Sequence, residues 1–212
     1  MRLAGGTTER LEAFSDGVIA IAITLLVLQI DVPDVGSGDL LSALWDDWPS
    51  FVAYIVSFVV IGIMWVSHHS MFERITAVDR TLLFINLLLL LGIAFLPFPT
   101  ALLAGYVREG GTNASIAAAV YSTTMTIIGL IFTAMWIHLY RHPDLLAEGI
   151  THERVRLSIR RSLVGPGVYA ASIGLAFISP VACFAVYALV ALYFAWGPSS
   201  RALVNRASSS PS

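Results

Sequence analysis

The stretch Arg10-Leu11-Glu12-Ala13-Phe14-Ser15-Asp16-Gly17-Val18-Ile19-Ala20-Ile21-Ala22-Ile23-Thr24-Leu25-Leu26-Val27-Leu28-Gln29-Ile30 decides the fold class of this 212-residue chain. Beyond Asp16 its only polar side chains are Thr24 and Gln29. A membrane-spanning helix needs about 20 mostly apolar residues, and residues 14–32 supply them. Glu9 and Glu12 flank Arg10, and no small-residue cleavage pattern follows Ile30. The run is therefore read as a retained span rather than a signal peptide.

The rest of the chain agrees with that class. It is 57% hydrophobic and 12% charged, where a soluble domain averages about 25% charged, and its mean hydropathy is +0.80. Runs of spanning length predict six helices, at 14–32, 48–71, 82–105, 114–140, 162–179 and 181–197. Ser179-Pro180 separates the last two, and proline disfavours helix at the residue before it, so a tight helical hairpin is expected there. The segment 142–161 is arginine-rich with interspersed apolar residues and reads as an interfacial or cytoplasmic helix. The Ser-rich end, 199–212, reads as a disordered tail. One membrane domain, 1–198, holds everything else.

Arginine placement tests the count. Arg2 and Arg10 precede the first span, and Arg74 and Arg80 follow the second. Arg141, Arg154, Arg156, Arg160 and Arg161 follow the fourth, and Arg201 and Arg206 follow the sixth. Arg108 alone falls in the opposite set of loops, which carries Asp31, Asp34, Asp39, Asp46, Asp47 and Glu109. The positive-inside rule then puts both termini in the cytoplasm. Six spans satisfy it at every loop; five do not.

Several function classes are excluded. A net charge of −2 supplies no basic excess for a nucleic-acid partner. All twelve basic residues are arginine, so no Schiff-base or P-loop lysine exists. Cys183 is the lone cysteine. No nucleophile elbow, paired catalytic carboxylates or Gly-rich phosphate loop occurs, and the chain is not read as an enzyme. His68 and His69 are adjacent, about 100° apart on a helix, and do not face one ion. His138, His142 and His152 sit at or beyond the end of the fourth span, and no metal or cofactor is expected. No span carries arginine at every third position, so a voltage sensor is not expected either.

Polar side chains inside hydrocarbon are costly and need partners or water. The first span carries Ser15, Asp16, Thr24 and Gln29; the second carries Trp65, Ser67, His68 and His69; the third carries Asn86. Asp16, His68, His69 and Asn86 lie near the cytoplasmic ends of their helices. A hydrogen-bonded network of Arg10, Asp16, Trp65, Asn86 and His68 or His69 is therefore predicted.

Arg10 to Asp16 reads R-x-x-x-F-S-D, running directly into the apolar helix. Together with Trp65, His68, His69 and Asn86, this closely resembles the signature of the transmembrane protein 175 family of potassium channels, in its bacterial form. The resemblance covers the chain in span number, orientation and loop lengths. It implies a homotetramer in the cell membrane, potassium ions as the permeant species, and a pore lined by the first helix without the usual carbonyl filter. Carried over by spacing from the Phe14-Ser15-Asp16 motif, the constriction falls at Ile21, Leu25 and Leu28, with Thr24 among them. Arg10, Phe14, Ser15 and Asp16 then serve a structural or gating network with the second and third spans.

Helical spacing agrees, because Ile21, Thr24, Leu25 and Leu28 fall at i, i+3, i+4 and i+7 of one stripe. Four copies would make an apolar neck with Asp31 at its outer mouth, where carboxylates concentrate cations and apolar constrictions gate by dewetting. The expected function is a potassium-permeable, weakly to moderately selective cation channel that is not voltage-gated. The alternatives are a secondary transporter and a proton-conducting membrane protein. Against the transporter, Pro97-Phe98-Pro99 and Gly165-Pro166-Gly167 do not occupy corresponding positions of two inverted halves.

Overall fold

The computed structural model describes residues 6–34, 36 and 38–195, and among these it is helical with no strand. The expected tail at 199–212, the last residues of the sixth span, and Arg2, Arg201 and Arg206 lie outside the described residues. The helices are α1 (Gly6–Leu25), α2 (Leu40–Asp46), α3 (Trp48–Phe72), α4 (Arg80–Phe95) and α5 (Pro97–Tyr106). They are followed by α6 (Gly111–Arg141), α7 (His152–Ser162), α8 (Val164–Ala176) and α9 (Pro180–Ala195). Short 3-10 turns follow α1 at Leu26–Gln29 and α6 at Pro143–Leu145.

Four segments are long and apolar enough to cross a membrane: Thr8–Gln29, Trp48–Phe72, Arg80–Tyr106 and Gly111–Arg141. The first ends earlier than the sequence reading placed it. Pro33 disfavours helix at Val32, and the chain is already extended at Ile30, with φ −92° and ψ 111°. Helix in the third is broken once, at Leu96. Pro97 has no N–H to continue the ladder, and Thr100 N–H resumes it on the Leu96 carbonyl at 3.1 Å. The last apolar helices are shorter. α8 has 13 residues, yet it continues α7 through Leu163, whose N–H reaches Ile159 O at 3.2 Å and whose carbonyl accepts from Gly167 N.

Helix ends follow local chemistry. Asp39, Asp79 and Thr151 cap α2, α4 and α7 by accepting main-chain N–H groups, which satisfies donors that a helix start leaves open. Gly110 and Gly111 enter α6 at φ +67° and +65°, a left-handed conformation that favours glycine.

α6 is the central post, packed by α4, α5, α7, α8 and α9. Its approach to α8 is close: a Cβ on Gly129 would sit 2.7 Å from the Pro166 ring. Small residues at such crossings let backbones meet, which is how helices gain packing in lipid. Hydroxyls tie the rest. Ser57 bonds Thr100 and Tyr121 at 2.9 and 3.2 Å, and Ser122 bonds Tyr187 at 2.7 Å.

The start of α1, the end of α3, the start of α4, the end of α6 and all of α7 gather at one end of the bundle. There the 73–79 loop is tied to the segment after α6, through Thr76 N to Leu145 O and Ala147 N to Arg74 O, both 2.9 Å. At the other end Arg108 contacts Asp46.

Candidate functional site

α1 has two faces of different fate. Leu11, Ser15, Ile19, Ala22 and Leu26 recur at three- and four-residue spacing and are buried against the bundle. Phe14, Gly17, Ile21, Thr24, Leu25 and Leu28 lie on the opposite side and are exposed. An apolar face left bare along a whole helix marks a surface that meets lipid, another copy or a pore.

On the buried face, three helices are locked by one chain of hydrogen bonds. Ser15 Oγ donates to Leu11 O at 2.8 Å, and Asn86 Nδ2 donates to Ser15 Oγ at 2.9 Å. His68 Nε2 meets Asn86 Oδ1 at 2.9 Å. An amide oxygen only accepts, so His68 carries a proton on Nε2. All three side chains are buried, where each bond is stronger and each orphan costlier than in water. His68 also stacks on Phe72 with ring centroids 4.3 Å apart.

A second, more exposed set lies beside it. Trp65 Nε1 donates to Asp16 Oδ1 at 2.9 Å, and His69 Nδ1 donates to Glu12 Oε1 at 2.8 Å. The Trp65 and His69 rings stack at 6.0 Å, since they are one turn apart on α3. Glu12 and Asp16 are likewise one turn apart on α1, so two successive turns of each helix meet.

The single network expected from sequence is thus two. Ser15, Asn86 and His68 form the buried one; Asp16, Trp65 and His69 form the exposed one, joined by Glu12, which sequence reasoning missed. Its signal was present, as an acidic residue four positions before Asp16. Arg10 is exposed and belongs to neither set; six residues before Asp16 on the same helix, it lies about 120° away around the axis. Phe14 is exposed. Thr24 donates to its own helix at Ile21 O, 2.9 Å away, and Asp31 stands exposed past the end of the helix.

A bundle of apolar helices, with four candidate spans and a polar lock in its interior, defines a multi-pass membrane protein. Residues 10–97 match the family described as "Endosomal/lysosomal potassium channel TMEM175". The chain is 48% identical over 186 residues to a potassium channel of Streptomyces collinus, covering 87% of this chain and 90% of that one. Its fold superposes on the crystal structure of a lysosomal potassium-selective channel TMEM175 homolog from Chamaesiphon minutus. The TM-score is 0.79 at 40% identity, over 90% of this chain and 97% of that one. The human endosomal/lysosomal proton channel TMEM175 is 36% identical over 138 residues, covering 60% of this chain and 27% of that protein. The chain belongs to the TMEM175 family, a family of ion channels and not of enzymes, and resides in the cell membrane.

Proposed function

We propose that this chain is the subunit of a homotetrameric, potassium-permeable cation channel whose pore is lined by α1. One observation carries the reading: the bare face of α1 is apolar where a pore stripe would lie. Ile21, Leu25 and Leu28 are 62%, 40% and 70% exposed in the isolated chain, while the face behind them is fixed in the bundle. The potassium channels among its relatives support the choice of ion.

In this arrangement Ile21, Leu25 and Leu28 form an apolar neck, and Asp31 supplies a carboxylate ring at the outer mouth. The neck offers no carbonyl cage to replace hydration water. Preference for potassium then follows from its looser hydration and the width of the neck, and is modest. Thr24 turns its hydroxyl to its own backbone and adds little to ion coordination. The Ser15–Asn86–His68 chain and the Trp65–Asp16 pair hold the back of the pore helix to α3 and α4.

Six spans complete the domain at residues 1–198: α1 with its 3-10 turn, α3, α4–α5, α6, α8 and α9. At 1.5 Å per residue, α8 alone covers roughly 20 Å of the ~30 Å hydrocarbon layer; the exposed apolar Leu163 before it and Phe177 and Ile178 after it extend the span, and the α7 arginines stay at the interface. Arg10, Arg74, Arg80, Arg141 and the α7 arginines sit at the end of the bundle that carries the polar lock, which supports a cytoplasmic assignment for it and for both termini. The lock is a poor proton wire. Asn86 passes no proton through its amide, and the chain of bonds ends on the Leu11 carbonyl.

Planar-bilayer recording of the purified protein under opposed potassium and sodium gradients tests the proposal. A reversal potential on the potassium side of zero is expected. Absence of current, or a reversal potential set by chloride, overturns it. Native mass spectrometry should give four chains per particle; a monomer excludes an α1 pore.

A further inference from the structure

α4 begins where α6 ends, and three side chains that bind metals meet there. Asp79 caps α4 through Oδ1, which accepts Leu82 N–H at 2.8 Å. His138, in the last turn of α6, places Nε2 at 3.0 and 2.9 Å from the two Asp79 oxygens. His142 follows four residues later and stacks on His138 with ring centroids 4.2 Å apart. One ligand atom from each of the three residues lies within 4.8 Å of the others.

We propose that Asp79, His138 and His142 bind one divalent transition-metal ion of the zinc class, at a site separate from the pore. The inference rests on the fold alone and stands whether or not the chain conducts potassium. Two imidazoles and one carboxylate suit zinc, cobalt, nickel or copper ions rather than calcium or magnesium, which take oxygen ligands. Residues i and i+4 on a helix present two imidazoles to one side, as histidine metal pairs require. Three protein ligands leave a fourth position for water or another group.

His142 distinguishes this site from an ion pair. A His138–Asp79 pair accounts for those two residues and needs nothing further. His142 is nevertheless fixed, because its Nδ1–H donates to His138 O at 3.0 Å. That bond selects the tautomer with a lone pair on Nε2, the orientation that ligating histidines receive from a backbone carbonyl. Asp79 is held likewise by Leu82 N–H.

Ligand atoms on a tetrahedral zinc ion stand roughly 3.3 Å apart, given bonds near 2.0 Å. His138 and Asp79 are already closer than that, and binding requires the exposed His142 side chain to leave its stack on His138 and move toward them. On binding, the ion takes the place of the proton on His138 Nε2 between imidazole and carboxylate. The ion then joins the start of α4 to the end of α6.

Titration of the tag-free, full-length protein in detergent with cobalt(II), read by its visible d–d absorption, tests the site. One cobalt per chain in low-coordinate geometry is expected, displaced by stoichiometric zinc. His142→Gln and Asp79→Asn should each weaken binding roughly tenfold or more. Both are expected to fold, since His142 is exposed and asparagine also caps helices. His69→Gln, which removes the histidine of the Glu12 and Glu73 contacts, should leave binding unchanged. No saturable cobalt spectrum in the wild type, equal affinity in His142→Gln, or loss only in His69→Gln would each overturn the proposal.

Discussion

Trp65 Nε1 donates to Asp16 Oδ1 at 2.9 Å, joining α3 to α1 across 49 positions of sequence. The bond is charge-assisted but sits at a half-exposed edge of the bundle, which lowers its worth. Trp65→Phe keeps an aromatic ring for His69 to stack on and removes only the N–H. We expect a loss of about 1 kcal/mol in detergent unfolding, with assembly retained. A loss near zero would make the pair a passive contact.

Asn86 is the keystone of the buried lock, donating to Ser15 and accepting from His68. Asn86→Ala leaves the His68 Nε2–H without an acceptor and Ser15 without a donor. The expected cost is about 2 kcal/mol or more. Ser15→Ala removes one link and should cost less. Equilibrium unfolding of both variants, compared with the double mutant, measures the coupling.

Leu28→Ala in the proposed neck should raise unitary conductance and lower the preference for potassium over sodium. Bi-ionic reversal potentials read the change. If Ile21→Ala, Leu25→Ala and Leu28→Ala all leave the ratio untouched, the pore is not on this face of α1.

Gly129 has no room for a side chain, because the Pro166 ring it faces is rigid. Gly129→Ala should destabilise by about 1–3 kcal/mol through overpacking. Gly167→Ala, one residue beyond that proline, meets nothing within 4 Å and should be neutral or gain up to about 1 kcal/mol of helix propensity. Thermal melts of the two variants separate packing from propensity.

Asp79 has a pH signature. Burial pushes its carboxyl up, but the Leu82 N–H and His138 outweigh burial and hold it below the usual carboxylate range. A carboxyl lowered in the folded state stabilises fully above its unfolded value, about 3.9. That stabilisation is lost as pH falls through the lowered folded value. With a chelator present, the difference in melting temperature between wild type and Asp79→Asn should shrink as pH falls below about 4. A difference that grows on acidification contradicts this assignment.

The sequence disclosed membrane class readily, because apolar runs and arginine bias are summed over many residues. It also singles out Ser15, Asp16, His68 and Asn86, which are expensive inside apolar helices and which hydrogen-bond between helices in the structure. It did not disclose who pairs with whom. Partner choice depends on helix azimuth and tilt to within a fraction of a turn, so the sequence groups Arg10, Asp16, Trp65, His68, His69 and Asn86 in one network without separating the Asp16–Trp65 pair from the Asn86–His68 pair. Asp79 was invisible beside His138 and His142, because the chain brings them together across 59 positions. The short α2 lacks the length for a periodic signal, and the sequence overruns the end of α1 because Ile30 and Val32 continue the apolar pattern where the backbone is already extended.

The 3-10 turn after α1 alters the geometry of the stripe. Successive side chains advance about 100° around an α-helix but about 120° around a 3-10 helix. Leu25 already has φ −67° and ψ −19°, on the 3-10 side of the α-helical norm. Leu28 therefore lies almost directly above Leu25, where an α-helix would offset it by about 60°. Around a fourfold axis the two leucines would form eclipsed rings rather than a winding thread. Relaxing this one turn to α-helix would slide one ring across the other, so a change in backbone pitch would change bore without any tilt of the helix.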